Sequence, residues 1–172
     1  MKKIPSIFAA ILLCCFISCN NEKTASETKD DNSAVKKNLE ASHIVSKAFE
    51  TGDPSMIDSA VASDFVDHTD MGDKNRDSLK AMISMMHKTF PDMKMELIKE
   101  LADNDYVFSL MRFTGTSEGQ MGIPKGPYDM QAIEVVRFRD GKAVEHWEYM
   151  EPREMMKMMP QPKPADDKTK GK

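Results

Sequence analysis

The apolar positions of this chain change period once, near Pro91. From about Lys37 to Thr51, Ala41, Ile44, Val45, Ala48 and Phe49 recur at three- and four-residue steps, which predicts a helix with one buried stripe, ended by Gly52. Asp53-Pro54 opens a second, shorter helix, with Asp as N-cap and Pro at the first helical position, where its missing N–H costs nothing. That helix carries Met56, Ile57 and Val61 inward, and a brief extended stretch, Asp64 to Asp70, follows it. A third helix is predicted from near Asn75 to Thr89, with Leu79, Met82, Ile83 and Met86 on one side, Phe90 closing it and Pro91 stopping it. Beyond Pro91 the period is two. Met93, Met95 and Leu97 alternate with Lys94 and Glu96, and Tyr106 to Thr116, Tyr128 to Arg139 and Lys142 to Tyr149 each read as strands. Asp103-Asn104, Gly115 to Pro127 and Asp140-Gly141 supply the connections. Three helices followed by hairpin-linked strands predict an α+β domain with helices on one face of a bent antiparallel sheet.

The strongest local signal is Val135 to Glu151, VVRFRDGKAVEHWEYME, in which Asp140-Gly141 joins two strands in a tight hairpin. On the second strand Val144, His146, Glu148 and Met150 share one face, while Glu145, Trp147 and Tyr149 share the other. Glu134 lies between Ile133 and Val135 on the first strand, in a run apolar on both sides, so an outward, solvated place is the less natural reading. Whether Glu134 shares the Glu148 face depends on the turn. A three-residue loop or a bulged turn keeps even-numbered residues of both strands together, and a strict two-residue turn does not.

The two ends of the chain stand outside this pattern. Lys2-Lys3 followed by the mostly apolar run Ile4 to Ile17 is short of the roughly 20 residues a membrane-spanning helix needs and suits a signal peptide over residues 1–18. Ser18-Cys19 at its end resembles a bacterial lipoprotein cleavage box, with Phe16 where Leu is usual, which implies lipidation of Cys19. An uncleaved anchor or an ordinary secretory signal is the alternative. Residues 19–36 are polar and read as a flexible tether, residues 37–159 as the domain and residues 160–172, rich in Pro and charge, as a disordered tail. The implied location is the cell envelope, periplasmic or outer-membrane, held to the membrane through Cys19.

Composition narrows the partners. Lys and Arg number 24 against 28 Asp and Glu, and loss of Lys2 and Lys3 with the signal would make the balance more acidic, which disfavours nucleic acid. Cys14 and Cys15 belong to the signal and Cys19 to the lipid, so the domain has no thiol and must rely on its core. Met155, Met156, Met158 and Met159 invite a soft-metal reading, but the chain uses 16 Met throughout, and composition bias is the stronger explanation. Asp67, His68, Asp70 and Asp73 resemble a hard-metal cluster; alternation sends Asp67 and His68 to opposite faces and no calcium-loop spacing appears, so no metal is expected.

The order of Gly-Asp-Pro, Phe-Val-Asp-His at 65–68, Phe-Pro-Asp at 90–92, Thr-Gly-Thr at 114–116, Gly-Ile-Pro at 122–124, Arg-Phe-Arg-Asp-Gly-Lys at 137–142 and Glu-His-Trp-Glu at 145–148 resembles the SnoaL-like polyketide cyclase, or ester cyclase, branch of the nuclear transport factor 2-like superfamily. The resemblance covers about Lys37 to Met159. It implies a cone-shaped α+β barrel with an apolar pocket open at one end, an architecture shared with ketosteroid isomerase. It also implies that Glu148, the acid just after His-Trp, acts as general acid/base, and that His68 stands at the pocket mouth. The sequence departs from the family where a His commonly partners that acid, since Glu134 stands there, and at Ser117, where Thr-Gly-Thr is usually followed by His. Two carboxylates on one face can share a proton and raise one pKa.

The candidate catalytic residues are therefore Glu148, Glu134 and His146. Glu148 could instead be a solvated edge-strand acid, and His146 could serve only to order the sheet by a hydrogen bond. Trp147 and Tyr106 are assigned with His68 to the pocket wall. Two functions follow: cofactor-independent acid/base cyclisation or isomerisation of a small hydrophobic carbonyl compound, or a non-catalytic ligand-binding or interaction module of the envelope. The resemblance also allows a homodimer, since relatives commonly dimerise through the open sheet face.

Overall fold

The structure is a computed structural model and describes residues 24–159. The expected signal segment, Cys19 and the expected tail at residues 160–172 lie outside the described residues. The element order is α1 (Thr24–Thr51), a 3-10 turn (Pro54–Asp58), β1 (Val61–His68), β2 (Lys74–Asn75), α2 (Arg76–Thr89), β3 (Lys94–Ala102), β4 (Tyr106–Ser117), β5 (Gly126–Arg139), β6 (Lys142–Met150) and α3 (Pro152–Met158).

The elements differ from the sequence reading in several places, among them β1, which takes in Val61 from the expected second helix, and β2, which was not expected. α1 begins at Thr24, so residues 24–36 are helical and not a flexible tether. The stretch lacks Gly and Pro and is supplied with Ala, Glu and Lys, so nothing stops a helix already nucleated by its packed second half. That packed half starts at Asn38, which is buried and donates through its amide to the carbonyl of Asn104 at 2.9 Å, tying α1 to the β3–β4 turn. The second of the three expected N-terminal helices is a single 3-10 turn, capped by the Asp53 carboxylate, which accepts from the Ser55 N–H at 2.9 Å. An additional helix, α3, forms in the Met-rich segment, where Glu154 accepts a hydrogen bond from the Gln131 N–H of β5.

All four expected strands form, and β1 and β2 join them in one six-stranded sheet of order β2-β1-β6-β5-β4-β3. The pairing is antiparallel except between β1 and β6. The register shifts inside β3, inside β6 and between Val61 and Val66 of β1 are bulges or irregularities of the kind that bend a sheet. α1 and α2 lie against the inner face of this sheet. Ala48, Ile57, Val61, Phe65, Ile83 and Val107 form the centre of the core, and Phe90, Ile123 and Met130 form a second cluster in which Phe90 meets Tyr128 edge-on at 5.6 Å. α2 is fixed by its Asn75 cap at one end and buried Phe90 at the other. The outer face of the sheet keeps Leu101, Phe108, Ile133 and Tyr149 exposed.

Candidate functional site

Between α1, α2 and the inner sheet face lies a cavity of about 190 Å³, half open to solvent. One side is apolar, built by Val45 and Phe49 of α1, Met82 and Met86 of α2, and Met111 and Phe113 of β4. The other carries Asp67, Glu134, His146 and Glu148.

Strand register explains why these four meet. The turn between β5 and β6 has two residues, Asp140 and Gly141, both at positive φ (55° and 72°). Such a turn pairs Arg139 with Lys142 and Phe138 with Ala143, matching even with odd numbers. A bulge at Ala143–Val144 then inserts one residue, and Arg137 pairs with Glu145, Val136 with His146 and Glu134 with Glu148. The bulge returns even-numbered residues of both strands to one face. On the other flank, the parallel pairing of β1 sets Asp67 opposite His146.

His146 is the hub of the group. Its Nδ1 is 2.7 Å from Asp67 Oδ1 and its Nε2 is 2.5 Å from Glu134 Oε2. Burial opposes a charged imidazole, but the hydrogen bonds and charges of the two carboxylates outweigh it and hold the His146 pKa up at about 10. With both ring nitrogens committed, His146 is an imidazolium that fixes Glu134 rather than a free base.

Glu148 faces Glu134 across the β5–β6 pair. Glu148 is exposed on β6 and lines the cavity, yet the protein around it solvates the charge poorly. That desolvation, with the Glu134 charge adding to it and His146 working against both, pushes the Glu148 pKa up to about 7. A carboxyl group poised at neutrality in an apolar cavity can give and take a proton.

The structure brings together the three residues assigned to chemistry and separates them from the three assigned to the pocket wall. Trp147, His68 and Tyr106 do not line the cavity. Trp147 has odd parity on β6 and so faces outward, where His68, its neighbour across the β1–β6 pair, stacks on it at 4.8 Å between ring centroids. His68 Nδ1 is 3.0 Å from Asp73 Oδ1, while its buried Nε2 makes no hydrogen bond and lies 4.0 Å from Glu145. Glu145 is itself paired with Arg137 on the same outer face. Tyr106 packs beside Phe108, with ring centroids 6.0 Å apart.

Asp67 is the site residue that sequence reasoning passed over. Its parity with Phe65 was the available signal, because an apolar Phe65 facing the core carries Asp67 to the same side. Ser109, buried on β4 and in register with Glu134, was missed likewise. Among the described residues no group of three or more His, Cys, Asp or Glu side chains is placed to hold a metal ion.

A sequence model of the family described as "SnoaL-like polyketide cyclase" matches residues 40–161, most of the chain. The chain belongs to the SnoaL-like polyketide cyclase family. Comparison with curated proteins gives no match. Among solved structures, the SnoaL-like domain is similar to TsrD from Streptomyces laurentii, at 21% identity and a TM-score of 0.61, over 74% of this chain and 96% of that one. It is similar to AclR from Streptomyces galilaeus, proposed to be a hydroxylase, at 26% identity and a TM-score of 0.59, over 71% and 80%. IdmH from Streptomyces antibioticus, proposed to be a polyketide cyclase, matches at 23% identity and a TM-score of 0.58, over 70% and 96%. These likenesses show the fold, the nuclear transport factor 2-like cone of helices on a six-stranded sheet.

Proposed function

We propose that this SnoaL-like domain binds a small hydrophobic carbonyl compound in its cone and catalyses proton transfer on it, with Glu148 as the acid/base. The observation that carries the reading is the opposition of Glu148 to Glu134 in the cavity, with Glu134 held in place by His146 and His146 by Asp67. The ionised Glu148 takes the proton α to the carbonyl, the electron pair moves onto the carbonyl oxygen, and the resulting enolate either regains the proton at another carbon or attacks a second carbonyl to close a ring. His146 offsets the Glu134 charge and so keeps Glu148 from being locked in its protonated form. The chemistry draws on carboxyl groups alone and calls for no cofactor.

The test is deuterium exchange into 2-tetralone, a hydrophobic ketone with acidic α-protons, followed by mass spectrometry. The expected result is catalysed exchange by the wild type, reduced ~100-fold or more in Glu148→Gln, the range typical for loss of a positioned general base. Exchange no faster than in buffer, or equal in the two proteins, would sink the enzymatic reading. Binding of 2-tetralone without exchange would instead support the second function, a non-catalytic ligand-binding module. The departure from the family at Glu134, where a His commonly partners the acid, favours that alternative.

The amino-terminal reading belongs to the same proposal. Lipidation of Cys19 holds the domain at an envelope membrane, so its ligand is one met outside the cytoplasm.

A further inference from the structure

Beside the catalytic cavity a second space of about 300 Å³ opens between α1 and the edge strand β3. Ser46, Met95, Ser109 and Met111 line both, so the two spaces adjoin along one shared wall. The helix makes this junction by its spacing. Ser42, Val45, Ser46 and Phe49 form the stripe that faces the inner cavity, while His43, Ser46, Lys47 and Glu50 form the adjoining stripe that faces the outer space. Ser46, small and half-buried, belongs to both stripes and leaves the junction uncrowded.

The strand contributes through a bulge. In β3 the register shifts between Leu97 and Lys99, so inward positions are odd before it (Met95, Leu97) and even after it. Glu100 thereby turns toward α1. It accepts from Ser109 Oγ at 3.2 Å and lies 2.9 Å from His43 Nε2. Lys47 donates to Glu50 at 2.9 Å on the next turn of the helix. The outer space is thus walled by hydroxyls and by cations and carboxylates in pairs, whereas the inner one is largely apolar away from its acid group.

We propose that the two spaces form one site for an elongated amphiphile, whose apolar carbonyl-bearing body fills the cone and whose neutral hydroxyl-bearing end group lies between α1 and β3. Volume supports a joint site. The inner 190 Å³ falls short of the roughly 300 Å³ at which ligand pockets begin, and the outer 300 Å³ brings the pair into that range. Charge selects the end group. An anion would meet Glu50 and Glu100 and a cation would meet Lys47, whereas hydroxyls can donate to the carboxylates and accept from Lys47 and His43.

The proposal rests on the ligand-binding reading of the cone, and its test separates the two. Octyl β-glucoside, below its micelle-forming concentration, and 1-octanol share one apolar body and differ in the polyhydroxyl end; their binding to the full domain is measured by calorimetry. The wild type should bind the glucoside ~10-fold more tightly or better, the gain expected from one or two net hydrogen bonds. Glu100→Ala, which removes a carboxylate that lines the outer space alone but also frees the Ser109 hydroxyl on the shared wall, should bring the glucoside down to the octanol level while leaving octanol affinity unchanged, and His43→Ala, on the exposed helix surface, should reduce the preference if the first variant does not fold. Equal wild-type affinities, or a preference untouched by both variants, would overturn the joint site while leaving the cone as a ligand site. Binding of neither probe would overturn the joint site, and, with no binding of 2-tetralone either, the cone as a ligand site as well.

Discussion

Glu148 and His146 each hold a proton more tightly in the folded chain than their ordinary values of 4.5 and 6.5 allow, for opposite reasons. Glu148 does so because its ionised form is poorly solvated and faces Glu134; His146 does so because its ionised form is doubly paired. In both cases the folded state carries more protons than the unfolded one between the ordinary and the shifted pKa, so stability falls as pH rises through that window. The Glu148 contribution is fully present below 4.5 and lost as pH passes about 7; the His146 contribution is fully present below 6.5 and lost as pH passes about 10. Glu148→Gln deletes the first window and leaves the second. At pH 8 the variant should melt about 2–4 °C above the wild type, the effect of about 1 kcal/mol in a domain of this size after discounting for water at the cavity mouth. At pH 4 the two should melt together. Parallel curves by circular dichroism at pH 4, 6 and 8 would show that Glu148 is solvated as an ordinary surface acid.

At the scale of elements, the functional geometry depends on joints that hydropathy alone does not display. Asn75 before α2, Asp53 before the 3-10 turn and the Asp140-Gly141 hairpin were legible because each uses a side chain or backbone freedom specific to its position. The bulge at Ala143–Val144 was not, because Val144 is an apolar residue like its neighbours and only pairing reveals it as the extra one. Yet this bulge decides whether Glu134 faces Glu148, so Glu134, His146 and Glu148 were legible as residues but not in their register, and Asp67 and Ser109 were not placed with them. β1 was visible only as a short acid-rich stretch, since its parallel partner β6 lies far along the chain. The first joint is equally demanding. Gly52, at φ 70°, ends α1 so close to α2 that an added Cβ would lie 2.5 Å from the His87 ring. Gly52→Ala should therefore cost more than the ~1 kcal/mol of the left-handed conformation alone, about 2–3 kcal/mol by denaturant titration. His87→Ala in the same background should recover part of the excess, since the ring contacts at 2.5 Å go while the Cβ contact at 2.9 Å stays. If Gly52→Ala is neutral, the α1–α2 junction is looser than the distances imply.

The whole molecule sets an open cone on one side of its sheet and leaves a partly apolar face on the other, and the proposed envelope location rests on Cys19. The segment before that residue is too short to span a bilayer, and no helix among the described residues is long and apolar enough to do so. Under the proposed lipidation, membrane residence comes from acyl chains on Cys19. Each buried CH₂ contributes about 0.8 kcal/mol, so one chain anchors only reversibly and two or more hold a protein firmly. Expressed in a bacterium with a lipoprotein pathway, the full chain should partition wholly into the membrane fraction, resist salt extraction, dissolve in nonionic detergent and show an intact mass equal to residues 19–172 plus diacylglycerol or more. Cys19→Ala should move it to the aqueous fraction or leave it as unprocessed precursor, with the melting temperature of the domain unchanged. A wild type recovered in the aqueous phase with an unmodified amino terminus would refute the anchor and return the cone to a free-diffusing role, leaving the Glu148 chemistry to be judged by exchange alone.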